Sequence, residues 1–465
     1  MRAKSRRGLQ AGANPYRCVR NMVRPSFTLV SDFVVHPGDK SDSRTVNARA
    51  ATKPAVCRNF AGRALLRMLL RMASSKRSFH PPVRSLFGPG PSDVDPRVLA
   101  AMARPTVGHL DPTFIEMMDD LKALLRSAFR TTNPMTMPIS APGSAGMEAC
   151  FANLVEPGDR VVICQNGVFA GRMKENVERA GGVAIMVEDS WGRAVDPQKL
   201  SDALAANDGV KAVAFVQAET STGVQSDAET LCRIARENGC LTIVDAVTSL
   251  GGSPLEVDAW GIDAVYSGSQ KCLSCTPGLS PVSFSERALE AARSRKVKAH
   301  SWFLDLSLLA GYWDEGAKRA YHHTAPINAL YGLHEALILL DDEGVENAWS
   351  RHRRNHEVLR AGLEAMGLPL IVPEPERLPQ LNAVAIPVGV DDAAVRGMLL
   401  EEHGIEIGAG LGALAGKVWR IGLMGHSSRP DKVLRLLGAL EAVLASLGVD
   451  VARGAGVDAA RAAMR

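Results

Sequence analysis

Short apolar runs alternate with amphipathic helical segments through the middle of this 465-residue chain, and this alternation constrains the fold more than any other feature. Strand–helix–strand repetition predicts an α/β fold, with a mostly parallel sheet covered by helices. Pro197–Ala206, capped by Asp196, and Asp227–Asn238 are predicted as intervening helices. The runs predicted as strands are Arg160–Cys164, Ala212–Val216, Leu241–Val244, Ala264–Tyr266 and Pro281–Phe284.

The pattern changes after Ala325-Pro326 to longer helices with fewer strands, which predicts a smaller α+β unit. We therefore expect an N-terminal arm and large domain over residues 72–343, a small domain over 344–447 and a frayed tail over 448–465. The segments that define the smaller unit are the helices Asn328–Asp341, Val345–Met366, Asp391–His403 and Pro430–Leu447 and the strands Ala383–Pro387 and Val418–Ile421.

Charge divides the chain into a basic beginning and an acidic body. Residues 1–85 carry 18 Lys and Arg against three Asp and no Glu, whereas the whole chain carries 54 basic and 50 acidic residues. The remaining residues therefore hold 36 basic against 47 acidic side chains, which argues against nucleic-acid binding and against a basic-tailed binding protein. No run approaches eighteen apolar residues, so no membrane-spanning helix is expected.

Residues 1–71 are interpreted as a disordered extension or a misassigned start, because Met72 followed by Ala-Ser-Ser resembles a true N-terminus. An alternative remains open, since Ala61–Met72 has the pattern of a basic amphipathic helix typical of organelle targeting. The first interpretation predicts a cytoplasmic protein, and the alternative predicts a mitochondrial one.

Polar and small residues follow several of the predicted strands, where the ligands of an open parallel sheet bind. A Gly/Ser turn at residues 140–149 leads into an apolar helix and could hold a phosphate through backbone N–H groups. Asp245 and Lys271 each follow a buried strand. A buried lysine, an acid and a phosphate turn together indicate a pyridoxal phosphate site, although each alone has an ordinary structural explanation.

These segments resemble the class V aminotransferases of fold type I, which use pyridoxal phosphate. The matching motifs are Ser267-Gly-Ser-Gln-Lys271, the segment from Val244 to Gly252, Glu219-Thr-Ser-Thr-Gly223 and Phe87-Gly-Pro-Gly-Pro-Ser92. Tyr321-His-His-Thr-Ala-Pro326 and Trp419-Arg-Ile-Gly-Leu-Met-Gly425 are most similar to those of the alanine–glyoxylate aminotransferases. The resemblance extends from about Leu86 to Leu447.

The resemblance implies a role for individual residues. Lys271 would form the Schiff base with the cofactor and move the Cα proton, and Asp245 would keep the pyridine nitrogen protonated. Thr220 would hydrogen-bond the phenolic oxygen, and Arg420 would pair with the substrate carboxylate. The remaining cofactor contacts would come from Gly143, Ser144 and Gln270 at the phosphate, from Phe169 against the ring, and from Tyr321 and Thr324 of a partner subunit.

The resemblance also implies a homodimer that transfers the amino group of alanine or serine to glyoxylate. Two residues depart from the mammalian members of the family, which carry Trp at the position of Phe169 and His at that of Ser144. Serine–pyruvate or pyridoxamine–pyruvate transamination remain alternatives, as does a cysteine desulfurase-like lyase. The lyase would need a reactive cysteine near Arg420, and residues 409–417 contain none.

Two pairs of residues could suggest a metal, but both are interpreted as structural. Cys272 and Cys275 have the spacing of half a metal or redox site and have no second pair nearby. His322 and His323 are adjacent in sequence, so their side chains point apart. No metal is therefore expected, and Asp111, near His109, is expected to cap a helix.

Overall fold

The computed structural model describes residues 78–313 and 319–465. The chain separates into two units, Met1–His80 and Pro81–Arg465. Of the first unit only residues 78–80 are described, and they form neither helix nor strand. Met72 and the amphipathic segment Ala61–Met72 lie outside the described residues.

A seven-stranded sheet forms the centre of the larger part of this unit. Its strands are β2 (Met135–Ile139), β3 (Arg160–Gln165), β4 (Val183–Glu188), β5 (Val210–Val216), β8 (Leu241–Asp245), β9 (Ala264–Tyr266) and β10 (Ser280–Phe284). Their order across the sheet is β2-β10-β9-β8-β5-β3-β4, with β10 antiparallel to both of its neighbours and the other pairs parallel. The predicted α/β fold with a mostly parallel sheet is therefore confirmed. A short antiparallel pair, β6 (Ala218–Glu219) and β7 (Val224–Gln225), follows β5.

Helices cover this sheet, and most begin at a residue whose side chain caps the first turn. Asp111 and Asp196 each accept a hydrogen bond from a backbone N–H two residues later, as the sequence predicts. The helices are α1 (Pro96–Met102), α2 (Pro112–Phe129), α3 (Gly143–Leu154), α4 (Val168–Arg179), α5 (Pro197–Ala205), α6 (Ala228–Glu237), α7 (Glu286–Arg293), α8 (Leu306–Trp313) and α9 (Ile327–Glu343).

A second sheet of four strands has its own hydrophobic core and consists of β1 (Ser85–Phe87), β11 (Leu381–Ala385), β12 (Ile405–Ala409) and β13 (Val418–Gly422) in the order β1-β12-β13-β11. Strand β1, which the sequence-based boundaries assign to the large domain, pairs in parallel with β12 in this smaller sheet. Phe87 of β1 is fully buried in the second core. The helices of this part are α10 (Val345–Ala365), α11 (Asp392–His403) and α12 (Pro430–Ser446).

The segment 448–465, expected to be a frayed tail, contains a further helix, α13 (Ala455–Ala463). Helix α13 packs on α10 and α12 through small residues. A side chain at Gly362 would come within 2.8 Å of the Gly456 carbonyl, and one at Gly456 would overlap Met366. Glycine at both positions lets the helices approach closely, and Ala460 is fully buried at this contact.

Across the part of the chain that the structure describes, no helix combines the length and apolar character needed to cross a bilayer.

Candidate active site

A pocket of about 290 Å³ lies where β5, β8 and β9 end and where β13 of the smaller sheet approaches them. Its position agrees with the expectation that ligands bind at the carboxyl ends of parallel strands. The pocket brings together eight residues singled out in the sequence, which are Gly143, Ser144, Phe169, Thr220, Asp245, Gln270, Lys271 and Arg420.

Lys271 follows β9 in a loop that the N-terminal segment holds in place. Ser92 donates hydrogen bonds to the Gln270 carbonyl through its N–H (2.9 Å) and to the Lys271 carbonyl through its hydroxyl (2.7 Å). The Lys271 Nζ donates to the carbonyl oxygen of Pro89. Gly90 has a φ of +109°, a backbone conformation that favours glycine, and a Cβ atom there would lie 2.6 Å from this Nζ.

Burial lowers the pKa of the Lys271 amine to about 8, and the negative charge of Asp245 acts in the opposite direction. The side chain is only 9% exposed. A lysine in this state has a substantial neutral fraction near neutral pH, as a nucleophilic or proton-transferring amine needs.

Asp245 is the last residue of β8, and two donors hold its carboxylate. Oδ1 accepts from the Val247 N–H (2.8 Å) and Oδ2 accepts from the Tyr266 hydroxyl (2.8 Å). Burial raises the pKa of this carboxyl to about 6, and both hydrogen bonds act in the opposite direction. The two hydrogen bonds therefore orient the Asp245 carboxylate and favour its ionised form.

Tyr266 was not singled out from the sequence, although its hydroxyl donates the hydrogen bond to the Asp245 carboxylate. It ends β9, and the parallel register places it directly opposite Asp245 of β8. The signal that could have found it is that both residues end neighbouring parallel strands.

Arg172, one turn after Phe169 on α4, also lines the pocket, and its guanidinium lies 4.9 Å from the centre of the Phe169 ring.

Helix α3 begins at the pocket with an N-terminus suited to an anion. Its cap residue is Pro142, and no side chain caps the first turn at Gly143 and Ser144. A side chain at Gly143 would lie 3.3 Å from the Ser267 carbonyl oxygen, so this turn is closely packed against the loop after β9. The side chain of Gln270 also lines the pocket, and its amide NH₂ group is a donor that suits an anion. Uncapped N–H groups at a helix start fit a phosphate, and the residues present fit pyridoxal phosphate.

Arg420 lies in the middle of β13 and is 6% exposed. Its Nε donates to the Ala409 carbonyl (2.6 Å) and its Nη1 to the Thr220 carbonyl (3.1 Å). Burial lowers the pKa of this guanidinium, and the charge of Glu219 opposes the shift. Two backbone carbonyls thus fix the guanidinium at the edge of the pocket.

Tyr321 and Thr324 do not line this pocket. Tyr321 is 63% exposed, and its hydroxyl lies 3.4 Å from the Thr324 hydroxyl. The adjacent His323 contacts the Ser140 hydroxyl through Nε2 (2.7 Å) and the His322 ring through Nδ1 (2.8 Å). Both histidines are therefore engaged with protein groups, and the expectation that their side chains point apart is wrong, because the two rings contact each other.

Cys272 and Cys275 are free, buried thiols. The Cys272 thiol donates to the Thr248 carbonyl (3.2 Å). Burial raises the pKa of Cys272 to about 12 and that of Cys275 to about 11. Within residues 78–313 and 319–465 no cluster of three or more His, Cys, Asp or Glu could hold a metal ion.

The fold, and a pocket at its strand ends that suits a phosphorylated cofactor, define a pyridoxal-phosphate enzyme of fold type I. The chain belongs to the class V aminotransferases, because the model of that family matches residues 86–431. It is therefore an enzyme, and its cofactor is pyridoxal phosphate.

Similar proteins are known among both sequences and solved structures. An (S)-ureidoglycine–glyoxylate transaminase of Bacillus subtilis is 38% identical over 83% of this chain and 97% of its own length. An alanine–glyoxylate aminotransferase of Felis catus is 39% identical over 78% of this chain and 88% of its own. The crystal structure of an alanine–glyoxylate aminotransferase from Nostoc sp. has 48% identity and a TM-score of 0.78, covering 80% of this chain and 98% of that one.

Proposed function

We propose that this enzyme transfers the amino group of a small amino acid, alanine or serine, to glyoxylate, giving glycine and pyruvate or hydroxypyruvate. The observation that carries the proposal is the small pocket with Lys271 and Asp245 on the large-sheet side and Arg420 on the small-sheet side. Relatives named for glyoxylate transamination, which match most of this chain, support the choice of acceptor.

Cofactor binding would use several features of the pocket at once. The first turn of α3, at Gly143 and Ser144, and the side chain of Gln270 would hold the phosphate. Phe169 would pack against the ring, and Thr220 would hydrogen-bond its phenolic oxygen. Asp245, aligned by Tyr266 and Val247, would pair with the pyridine nitrogen.

When bound, pyridoxal phosphate supplies an aldehyde that takes up the amino group and a ring that accepts the electron pair left when the Cα–H bond breaks. Lys271 would hold the cofactor between turnovers and, as a neutral amine, would remove the proton from Cα and return it at the cofactor's carbon. Arg420 would fix the substrate carboxylate and so place Cα beside this amine.

A homodimer fits the positions of Tyr321 and Thr324. Both are exposed and lie outside the pocket of their own chain, as residues that reach the phosphate of a partner subunit would be. Trp302, also 63% exposed, stacks on His322 beside this segment and would be covered by the same contact.

A donor and acceptor panel tests the proposed reaction. Purified enzyme loaded with pyridoxal phosphate is assayed with glyoxylate or pyruvate as acceptor, and with alanine, serine, (S)-ureidoglycine or pyridoxamine as donor. Glyoxylate with alanine or serine should give the highest kcat/KM. The Bacillus subtilis relative makes (S)-ureidoglycine the second candidate donor.

Two results of this panel would contradict the proposal. One is the absence of glycine formation from glyoxylate with every donor. The other is sulfide release from cysteine, added as a further substrate with a thiol reductant present, which would indicate a desulfurase. All six cysteines in the described part of the chain are buried, so no reactive thiol is available there for that chemistry.

Replacing Arg420 by lysine should lower kcat/KM for amino acids by about 10- to 150-fold. Lysine keeps the charge but cannot donate to both the Ala409 and Thr220 carbonyls while also offering two parallel N–H groups to a carboxylate. Kinetics with alanine and glyoxylate measure this loss, and Arg429→Lys on the exposed surface serves as the matched control. If Arg420→Lys instead releases the cofactor with normal kcat/KM in the loaded fraction, Arg420 belongs to the cofactor site.

A further inference from the structure

Glu219 is a fully buried carboxylate beside the pocket, and it has no place in the roles proposed above. It ends β6 directly before Thr220, is 0% exposed and does not line the pocket. Its Oε1 accepts from the Ser221 N–H (2.8 Å) and hydroxyl (2.6 Å), and its Oε2 accepts from the Phe169 N–H (3.2 Å). Burial raises the pKa of this carboxyl, and the three hydrogen bonds and the charge of Arg420 act in the opposite direction, favouring the ionised form.

The Phe169 contact is part of an N-terminal cap supplied to α4 by another segment. The cap residue of α4 is Gly167, which has no side chain to offer. Instead, the Val168 N–H donates to the Ser221 hydroxyl (3.0 Å) and the Phe169 N–H donates to Glu219. Negative charge is favourable at the N-terminus of a helix, so this carboxylate stabilises the turn that carries Phe169.

Gly167 is required for this approach. A Cβ atom there would lie 2.4 Å from the Glu219 Cδ and 2.5 Å from the Ser221 Oγ. The backbone of Gly167 is extended and would accept other residues, so the constraint comes from the space that Glu219 occupies. The start of α4 and the 219–221 turn are therefore built to fit each other.

The same turn also contacts the substrate side of the pocket. The Thr220 carbonyl accepts a hydrogen bond from Arg420, and the Glu219 charge favours the ionised guanidinium. A single buried carboxylate thus lies between the element that presents Phe169 and the residue proposed to bind the cofactor's phenolic oxygen.

We infer that Glu219 is a positioning residue that fixes the Phe169 ring against the cofactor by holding the first turn of α4 to the 219–221 turn. The inference rests on the proposed function, since it assumes that Phe169 packs on the cofactor ring. It assigns no bond-making step to Glu219.

The test is a double-mutant cycle of Glu219→Gln and Phe169→Ala, read as the dissociation constant of pyridoxal phosphate for the apoenzyme. Glutamine keeps the size of the side chain but places an NH₂ group against the Phe169 N–H or the Ser221 donors. Each single variant should weaken cofactor binding about 3- to 10-fold, the range expected for an aromatic contact. The double variant should match Phe169→Ala within about twofold, because Glu219 acts through that ring.

Controls separate positioning from a general loss of stability. Glu335 is also buried (7% exposed) and accepts from Arg97 and Arg104 away from the pocket, so Glu335→Gln should leave the dissociation constant unchanged. If Glu219→Gln does not fold, Ser221→Ala removes the hydroxyl that links Glu219 to the Val168 N–H and takes its place in the cycle.

The possible outcomes separate a failure of the inference about Glu219 from a failure of the proposed place of Phe169. Losses that multiply in the double variant, or unchanged binding in Glu219→Gln, would overturn the positioning role. Unchanged binding in Phe169→Ala would contradict the proposed place of Phe169 and, with it, the inference. If each single variant binds pyridoxal phosphate more weakly and the double variant binds it no more weakly than Phe169→Ala, the result supports both the place of Phe169 and the positioning role of Glu219.

Discussion

The Lys271→Ala variant should lose transamination by at least about 10⁴-fold while keeping its fold. No other described amine lines the pocket, so neither covalent attachment of the cofactor nor proton transfer at Cα has a substitute. Steady-state kinetics measure the loss. Borohydride reduction followed by peptide mass measurement should find cofactor on Lys271 in the parent enzyme and on no residue in the variant.

Lys174→Ala is the matched control, because Lys174 is half-buried on α4, does not line the pocket and pairs with Glu178 one turn away. It should retain parental activity. Cofactor attached elsewhere in Lys271→Ala, or activity within about 100-fold of the parent, would show that Lys271 is not the catalytic lysine.

The same lysine sets an expected pH dependence. Attack on an aldehyde requires the neutral amine, and raising the pH through the pKa of about 8 increases that fraction. An unperturbed lysine would be less than about 1% neutral at pH 8. The rate of cofactor attachment to the apoenzyme, followed by absorbance, should therefore rise with a midpoint near pH 8, and a midpoint near 10 would contradict the lowered pKa.

Local sequence predicts most of the large sheet because its strands are short, buried and separated by capped helices. Strands β3, β5, β8, β9 and β10 lie within two residues of the predicted runs. Strand β1 could not be placed in the same way, since its three residues pair with Ile405–Ile407, more than 300 positions later. Helix α13 was missed because its contact depends on Gly456 meeting Gly362, which no local pattern records.

The residues of the candidate site likewise fall into those that local sequence predicts and those that it does not. Strand ends and small-residue turns point to Lys271, Asp245 and the start of α3, because a parallel sheet gathers its strand ends in one place. The residues that hold these groups were not predicted. Tyr266 and Glu219 act through hydrogen bonds whose partners come from other elements, and only the folded chain brings those elements together.

Replacing Asp245 by asparagine should lower kcat by roughly 10²–10³-fold, the range found when one preorganised electrostatic contact at a reacting group is lost. The amide can accept the Val247 N–H through its oxygen and donate to the Tyr266 oxygen, so the hydrogen bonds and the fold should survive. What is lost is the negative charge that would keep the pyridine nitrogen protonated and so let the ring accept electrons from Cα. Arg420 is unchanged, so KM for the amino donor should change little.

Asp263→Asn is the control for this variant, because Asp263 is equally buried and lies at the opposite end of the same region of the sheet. Its carboxylate accepts from Arg287 (2.9 Å), Ser285 (2.8 Å) and the Thr242 N–H (3.1 Å). Removing that charge should lower Tm while leaving kcat of the loaded, folded enzyme at the parental value, since Asp263 does not line the pocket. Asp245→Asn should show the reverse, a large loss of kcat with little change in Tm. If Asp245→Asn keeps kcat within about threefold of the parent, the charge of Asp245 is not used in catalysis, and the counter-charge of the ring must come from another group.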